Sequence, residues 1–279
     1  MERVPRDEQP AGGLVKSRPN WPAGLFALVW LVIVVGPLYY VVTASLRTRQ
    51  EYLGSHPLEF PANPTLDNYA TVLSGGFGKY LVNNIVVTAA TVVIVLLVGV
   101  PCAYAVVRGT GRFVQRGFTL LLMGLAIPAQ ATIIPVYLLI TRMHLYDSLT
   151  AIILPTAAFA LPVATLVLTN SLRDVPPELY EAQAIDGAGP FRVLVSLVLP
   201  LARPAIMTVV VYTALNAWNG FLFPLVLTQS ESSRVLTLGL WNFQGQFGTN
   251  VPALMAAVLL SVLPIFAVYL FGRRFLLSG

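Results

Sequence analysis

Six long runs of this chain carry no Asp, Glu, Lys or Arg: residues 22–45, 81–107, 117–141, 148–172, 204–229 and 251–272. A helix of about 20 residues rises roughly 30 Å, the thickness of a bilayer's hydrocarbon core. In lipid, backbone polar groups must be satisfied within the segment, so a single run spans as a helix. The chain is therefore expected to be an all-α integral membrane protein with six transmembrane helices. Composition agrees. Only 10% of the 279 residues are charged, against about 25% in a soluble domain. The first run is longer than a signal-peptide core and follows a polar segment, so it is expected to be an uncleaved anchor. Residues 1–21, charged and rich in Pro and Gly, are expected to be disordered; residues 22–279 form the transmembrane domain.

Lys and Arg distribute unevenly over alternate sides of the spans. Twelve fall on one side: Arg3, Arg6, Lys16, Arg18, Arg108, Arg112, Arg116, Arg173, Arg192, Arg203, Arg273 and Arg274. The other side has five, Arg47, Arg49, Lys79, Arg142 and Arg234. The richer side is expected to be cytoplasmic, which puts both termini inside a multi-pass protein and leaves outer loops at 46–80 and 230–250.

Several chemistries are unsupported. Cys102 is the one cysteine, and His56 and His144 lack partners at ligand spacing, so no metal site is expected. The stretch GGFGKY at 75–80 lacks the Ser/Thr and the first glycine of a phosphate loop. With no carboxylate or His inside a span, neither an intramembrane hydrolase nor an ion-coupled relay has its groups. If the chain transports, its energy comes from another polypeptide.

The spans do hold amides, aromatic rings and helix breakers: Asn83 and Asn84, Gln130 between Pro128 and Pro135, and Asn216, Trp218, Asn219, Gly220, Phe221 and Pro224. Amides donate and accept hydrogen bonds, and rings offer a flat amphipathic face, which suits an uncharged, hydroxyl-rich ligand. The same residues also serve as glue between membrane helices. Asn84, Gln130, Asn216, Trp218, Asn219 and Phe221 are the candidates for a substrate pathway. An outer stretch, LWNFQGQFG at 240–248, is a candidate gate or an interfacial anchor.

Between the fourth and fifth spans, residues 174–203 break the pattern. DVPPELYEAQAIDGAGP reads as a short helix with Asp174 as cap, prolines in the first turn and Gly187 at its left-handed end. Leu179, Ala182 and Ile185 share a face at helical spacing. Four acids and no base between Asp174 and Asp186 make an anionic lipid surface a poor partner, so a protein partner is expected.

The continuation EAQAIDGAGPFRVLVSLVLP resembles the EAA loop of binding-protein-dependent ABC importer permeases, a pattern of E-A-A, three residues, Gly, nine residues and I-x-L-P. Here it runs Glu181-Ala182-Gln183, Gly187, then Leu197 to Pro200, with Gln183 and Leu197 as the departures. NNIVVTAATVVIVLLVGVPCAYAVVR, IPAQATIIPVYLLI and AWNGFLFPLVLT are similar to the carbohydrate branch and to its smaller, maltose-type permease subunit. The resemblance implies a coupling helix, with Leu179, Glu181, Ala182, Gln183, Ile185, Asp186 and Gly187, that docks on a cytoplasmic ATPase subunit. It implies a second homologous permease, two ATPase subunits and an extracytoplasmic sugar-binding protein in a bacterial plasma membrane. ATP and Mg2+ would be used by the ATPase, so this chain is not itself an enzyme. Gly220 stands where the family commonly has glutamate. The family's usual tail is not seen after FLLSG. A permease for another small solute, and an ATP-independent channel or secondary transporter, are the alternatives.

Overall fold

The computed structural model describes residues 21–109, 111–245 and 248–276. Most of the expected 1–21 segment, and the end of FLLSG, lie outside the described residues. Helix α1 spans Trp21–Ser45, with Pro37 inside it. Its part up to Tyr40 belongs to a unit of its own, and a second unit begins at Val41.

Within the second unit, α2 (Arg49–Gly54) and α3 (Asp67–Val72) frame the loop expected to face outward. Arg47 is fully buried there. Its guanidinium donates to Ser55 Oγ at 3.0 Å and to the carbonyls of Pro57 and Glu59. Asn68 Nδ2 donates to the Ser45 and Arg47 carbonyls, each at 2.8 Å. A buried cation needs such partners, so the loop is tied to one side chain.

Helices α4 (Gly78–Arg108) and α7 (Leu149–Arg173) form the centre. Ala157, Ala160, Ala164 and Leu168 of α7 pack in one cluster with Val95, Val100 and Ala103 of α4. Lipid is as apolar as these side chains, so close contact between small residues, rather than dehydration, holds the pair.

Two expected spans are not single helices. The run 117–141 divides into α5 (Arg112–Met123) and α6 (Ile133–Arg142), joined by turns at Gly124–Ala126 and Ala129–Thr132. The two halves lie 99° apart. Ile127 is extended, with φ −90° and ψ 112°, because the residue before a proline, here Pro128, is excluded from the helical region. The other break precedes the fifth run. Helices α8 (Pro177–Ile185), α9 (Pro190–Val193) and α10 (Leu199–Leu201) lead to α11 (Arg203–Trp218) through a 78° bend at Ala202. Helix α11 ends at Trp218, short of the expected residue 229, and α12 (Leu222–Leu227) restarts after Gly220.

The chain closes with α13 (Leu236–Gly239), a two-residue antiparallel pair of β1 (Gln244–Gly245) with β2 (Gly248–Thr249), and α14 (Val251–Leu276). Gly239 lies against the ring of Tyr80: a Cβ there would sit 2.5 Å from Tyr80 Cδ2. Among the described residues, three helices are long and apolar enough to cross a membrane, or up to five if each bent pair is one span.

Candidate functional site

The break between α11 and α12 opens a cavity of about 300 Å3 against α7 and the turn at Ala129–Thr132. Three of the six pathway candidates meet there: Gln130, Asn216 and Phe221. Thr156, Phe159 and Tyr212 join them, and the lining holds no Asp, Glu, Lys, Arg or His. Asn216 Nδ2 donates to the Tyr212 carbonyl at 2.8 Å, which holds the amide along its own helix. Phe159 packs on Phe223 with ring centroids 5.6 Å apart, and Phe221 on Trp241 at 5.5 Å. Trp241, from the expected gate stretch, thus reaches the cavity wall; Gln246 and Phe247 of that stretch lie outside the described residues.

The other three candidates lie outside this lining. Asn84, 1% exposed, donates from Nδ2 to the Trp218 carbonyl at 3.2 Å. That carbonyl is one of those a helix end leaves without an intrahelical partner. Trp218 is buried, and its Nε1 donates to the Ser261 carbonyl at 3.1 Å. Asn219 is exposed, and its Nδ2 donates to the Leu215 carbonyl at 2.9 Å. Asn84 and Trp218 thus join α4, α11 and α14. Tyr212, four residues before Asn216, was open to sequence reasoning through that helical spacing; Thr156 and Phe159 carried no such signal in an apolar run.

The second feature is α8. Pro176 precedes it without a side-chain cap, and Asp174 follows α7 instead, so Asp174 is not the cap expected from sequence. The C-terminal end matches expectation. Gly187 has φ +70°, Ala188 N donates to the Gln183 carbonyl at 2.9 Å, and Gly187 N donates to the Ala184 carbonyl at 3.1 Å. This double bond across a left-handed glycine is the Schellman end of a helix.

The face holding Leu179, Ala182 and Ile185 is exposed, with Ile185 at 86%. Glu181, Asp186 and Gly187 are exposed too. Gln183 is half-buried and accepts from Ser196 Oγ at 3.5 Å, on the following turn. The residue that holds α8 down is one the sequence reading passed over, Tyr180, 4% exposed. Its ring stacks on Tyr104 at 6.4 Å, and Arg108 Cζ lies 4.8 Å from its centroid, both from the end of α4. Burial raises the Tyr180 phenol above its ordinary range, and the Arg108 charge opposes the shift.

The family model described as the inner membrane component of binding-protein-dependent transport systems matches residues 95–277. A protein of Caldicellulosiruptor named as an ABC transporter permease is 38% identical over 265 residues, 95% of this chain and 96% of its own length. The diacetylchitobiose uptake system permease of Streptomyces coelicolor is 32% identical over 251 residues, 88% of this chain and 83% of its own. Among solved structures, a chain of a bacterial ABC transporter involved in import of the acidic polysaccharide alginate superposes with a TM-score of 0.81. It is 21% identical, and the match covers 91% of this chain and 95% of that one, so the fold is shared.

Proposed function

Because this chain belongs to the family of inner membrane components of binding-protein-dependent transport systems, we propose that it is one permease subunit of an ATP-driven sugar importer. The observation that carries the substrate class is the cavity at the α11–α12 break. Two amides, the hydroxyls of Thr156 and Tyr212 and several aromatic rings surround it, and no charged side chain does. Such a lining offers hydrogen bonds and flat apolar faces to an uncharged, hydroxyl-rich solute, and would leave a charged one without a counter-ion. The name of the Streptomyces relative, an uptake system for an amino-sugar disaccharide, supports the same class.

In this reading α5 and α6 make the third span, α11 and α12 the fifth, and α14 is the sixth. The side with twelve Lys and Arg faces the cytoplasm of a bacterial cell. Helix α8 is the coupling helix. Its exposed face, with Leu179, Glu181, Ile185 and Asp186, docks on the ATPase, while Tyr180 ties it to α4. A second homologous permease completes the pathway, two ATPase subunits use ATP and Mg2+, and the loops at 46–80 and 230–250 receive an extracytoplasmic sugar-binding protein.

The test is uptake of labelled oligosaccharides by the assembled complex in proteoliposomes, with a polyamine and an organophosphate as competitors. ATP-dependent uptake of a neutral sugar, insensitive to both competitors, is expected. Uptake that persists with an inactivated ATPase would sink the importer reading, and uptake of the charged solutes alone would sink the sugar reading.

A further inference from the structure

We infer that Asp147 is a positioning residue for transport: it clasps the turn before α7 to the segment after α12 and so fixes the two walls of the cavity relative to each other. The inference rests on reading that cavity as the pathway. Asp147 belongs to neither wall. It stands in the turn between α6 and α7 with φ 58°, a left-handed conformation that Asp and Asn tolerate better than most residues. Its backbone N–H donates to the carbonyl of Leu227, the last residue of α12, at 2.9 Å. One carboxylate oxygen, Oδ1, then accepts three bonds from residues more than 80 positions away: Gln229 N at 2.8 Å, Ser230 N at 3.0 Å and Ser233 Oγ at 2.5 Å.

Both neighbourhoods of the clasp lead into the cavity. Ser148, the next residue, caps α7 by accepting Ala151 N at 3.2 Å, and α7 supplies Ile152, Thr156 and Phe159 to one wall. On the other side, Asn83 Nδ2 of α4 donates to the Ser232 and Arg234 carbonyls, each at 2.8 Å. Thr237 Oγ1, a few residues on, donates to the Gly220 carbonyl at 2.8 Å. Gly220 is the break itself and lines the cavity. The route from Asp147 through segment 229–237 to Gly220 is thus hydrogen-bonded at both ends. A carboxylate that accepts three donors is held more firmly than a neutral acceptor, because charge-assisted bonds are roughly twice as strong. The donors, Gln229 N–H foremost, then the Ser233 hydroxyl and Ser230 N–H, keep the Asp147 carboxyl far below its usual range. The clasp is therefore a fixed fastening.

Three variants separate its parts in the complete transporter. D147N keeps the left-handed turn and an amide oxygen that can accept the same bonds. D147G keeps the turn and removes the acceptor. T237V removes only the last link to Gly220. A cysteine at Thr228, buried at 7%, placed in a C102A background, reports release of the clasp by its rate of reaction with an impermeant maleimide. In D147G, uptake of the sugar is expected to fall about tenfold and labelling to rise about fivefold, while D147N, which keeps the acceptor and loses the charge, falls between D147G and wild type on both. T237V is expected to lower uptake about threefold without changing labelling. Wild-type uptake in D147G, or equal damage in D147N and D147G, overturns the inference. If D147G does not assemble, wild-type uptake in T237V overturns it instead. A labelling difference that stands while the wild-type complex takes up no sugar would sink the pathway reading and leave the clasp.

Discussion

Tyr180 and Asp147 each fasten a connecting segment to the helical body, and they do so by opposite physics. At Tyr180 an aromatic ring lies against Tyr104 and Arg108 with its hydroxyl buried and unpartnered. Stacking and cation–π contacts are broad in angle, so the ring can tilt or slide and keep much of its contact. At Asp147 one oxygen holds three donors, and hydrogen bonds weaken steeply with distance and angle. The first fastening tolerates motion of α8, whose other face is bare; the second keeps a spacing. On the proposed reading, α8 would be the element that receives force and the Asp147 clasp the rim that holds its spacing.

The largest expected effect breaks the first fastening. Tyr180→Ala removes a buried ring, a loss of about 3–5 kcal/mol at core positions. Sugar-stimulated ATPase activity of the complex is expected to disappear while the permease pair still forms; retained stimulation would remove Tyr180 from the coupling route. Next comes Gly239→Ala, which drives a methyl into the Tyr80 ring. Overpacking of this kind costs about 1–3 kcal/mol. A lower thermal midpoint is expected, with stimulated ATPase activity unchanged in the surviving complex, and a midpoint equal to wild type would show that the ring gives way.

Gly187→Ala sharpens the picture of α8. A Cβ there meets nothing within 4 Å, so the cost is only the left-handed backbone, about 1–2 kcal/mol. Weaker co-purification of the ATPase is expected, and Gly187→Asn should recover part of it; equal binding in all three would show that the Schellman end is dispensable. The smallest effect belongs to Tyr180→Phe, which removes a hydroxyl without a partner. Stability within about 0.5 kcal/mol of wild type and normal coupling are expected, and a loss of coupling would reveal a partner for that hydroxyl in the full complex.

Acidity tests the second fastening. Asp147 has a depressed carboxyl pKa in the fold, so its contribution is present above the ordinary carboxyl value of about 3.9 and is lost as pH falls through the lowered one. From about pH 8 to about pH 5 the difference in melting between wild type and D147N is expected to be constant. A difference that changes within that window would mean that another group titrates against Asp147.

Much of the fold was legible in apolar run length. The runs behind α4 and α7 became single helices close to their expected bounds. The runs around Pro128 and Gly220 did not, because a breaker marks where a helix can end and says nothing of the angle at which the chain resumes. The cavity was legible in part. Gln130, Asn216 and Phe221 line it, while Asn84, of the same chemical class, satisfies the orphaned carbonyl of Trp218. Only the position of α11's end distinguishes those uses. On α8, Leu179, Ala182 and Ile185 are all exposed, which periodicity alone does not say, since it does not tell an inward face from an outward one. Asp147 was illegible, since its donors come from a segment more than 80 residues away.

Helix α4 touches both fastenings. Asn83, near its start, grips the segment that Asp147 holds, and Arg108, at its end, lies over the Tyr180 ring. The 25 helical steps from Asn83 to Arg108, at 1.5 Å each, measure about 38 Å of one helix with Pro101 inside it. A tilt of such a helix by about 5° moves one tip about 3 Å past the other, so on the proposed reading it would act as a lever between the ATPase-facing helix and the cavity.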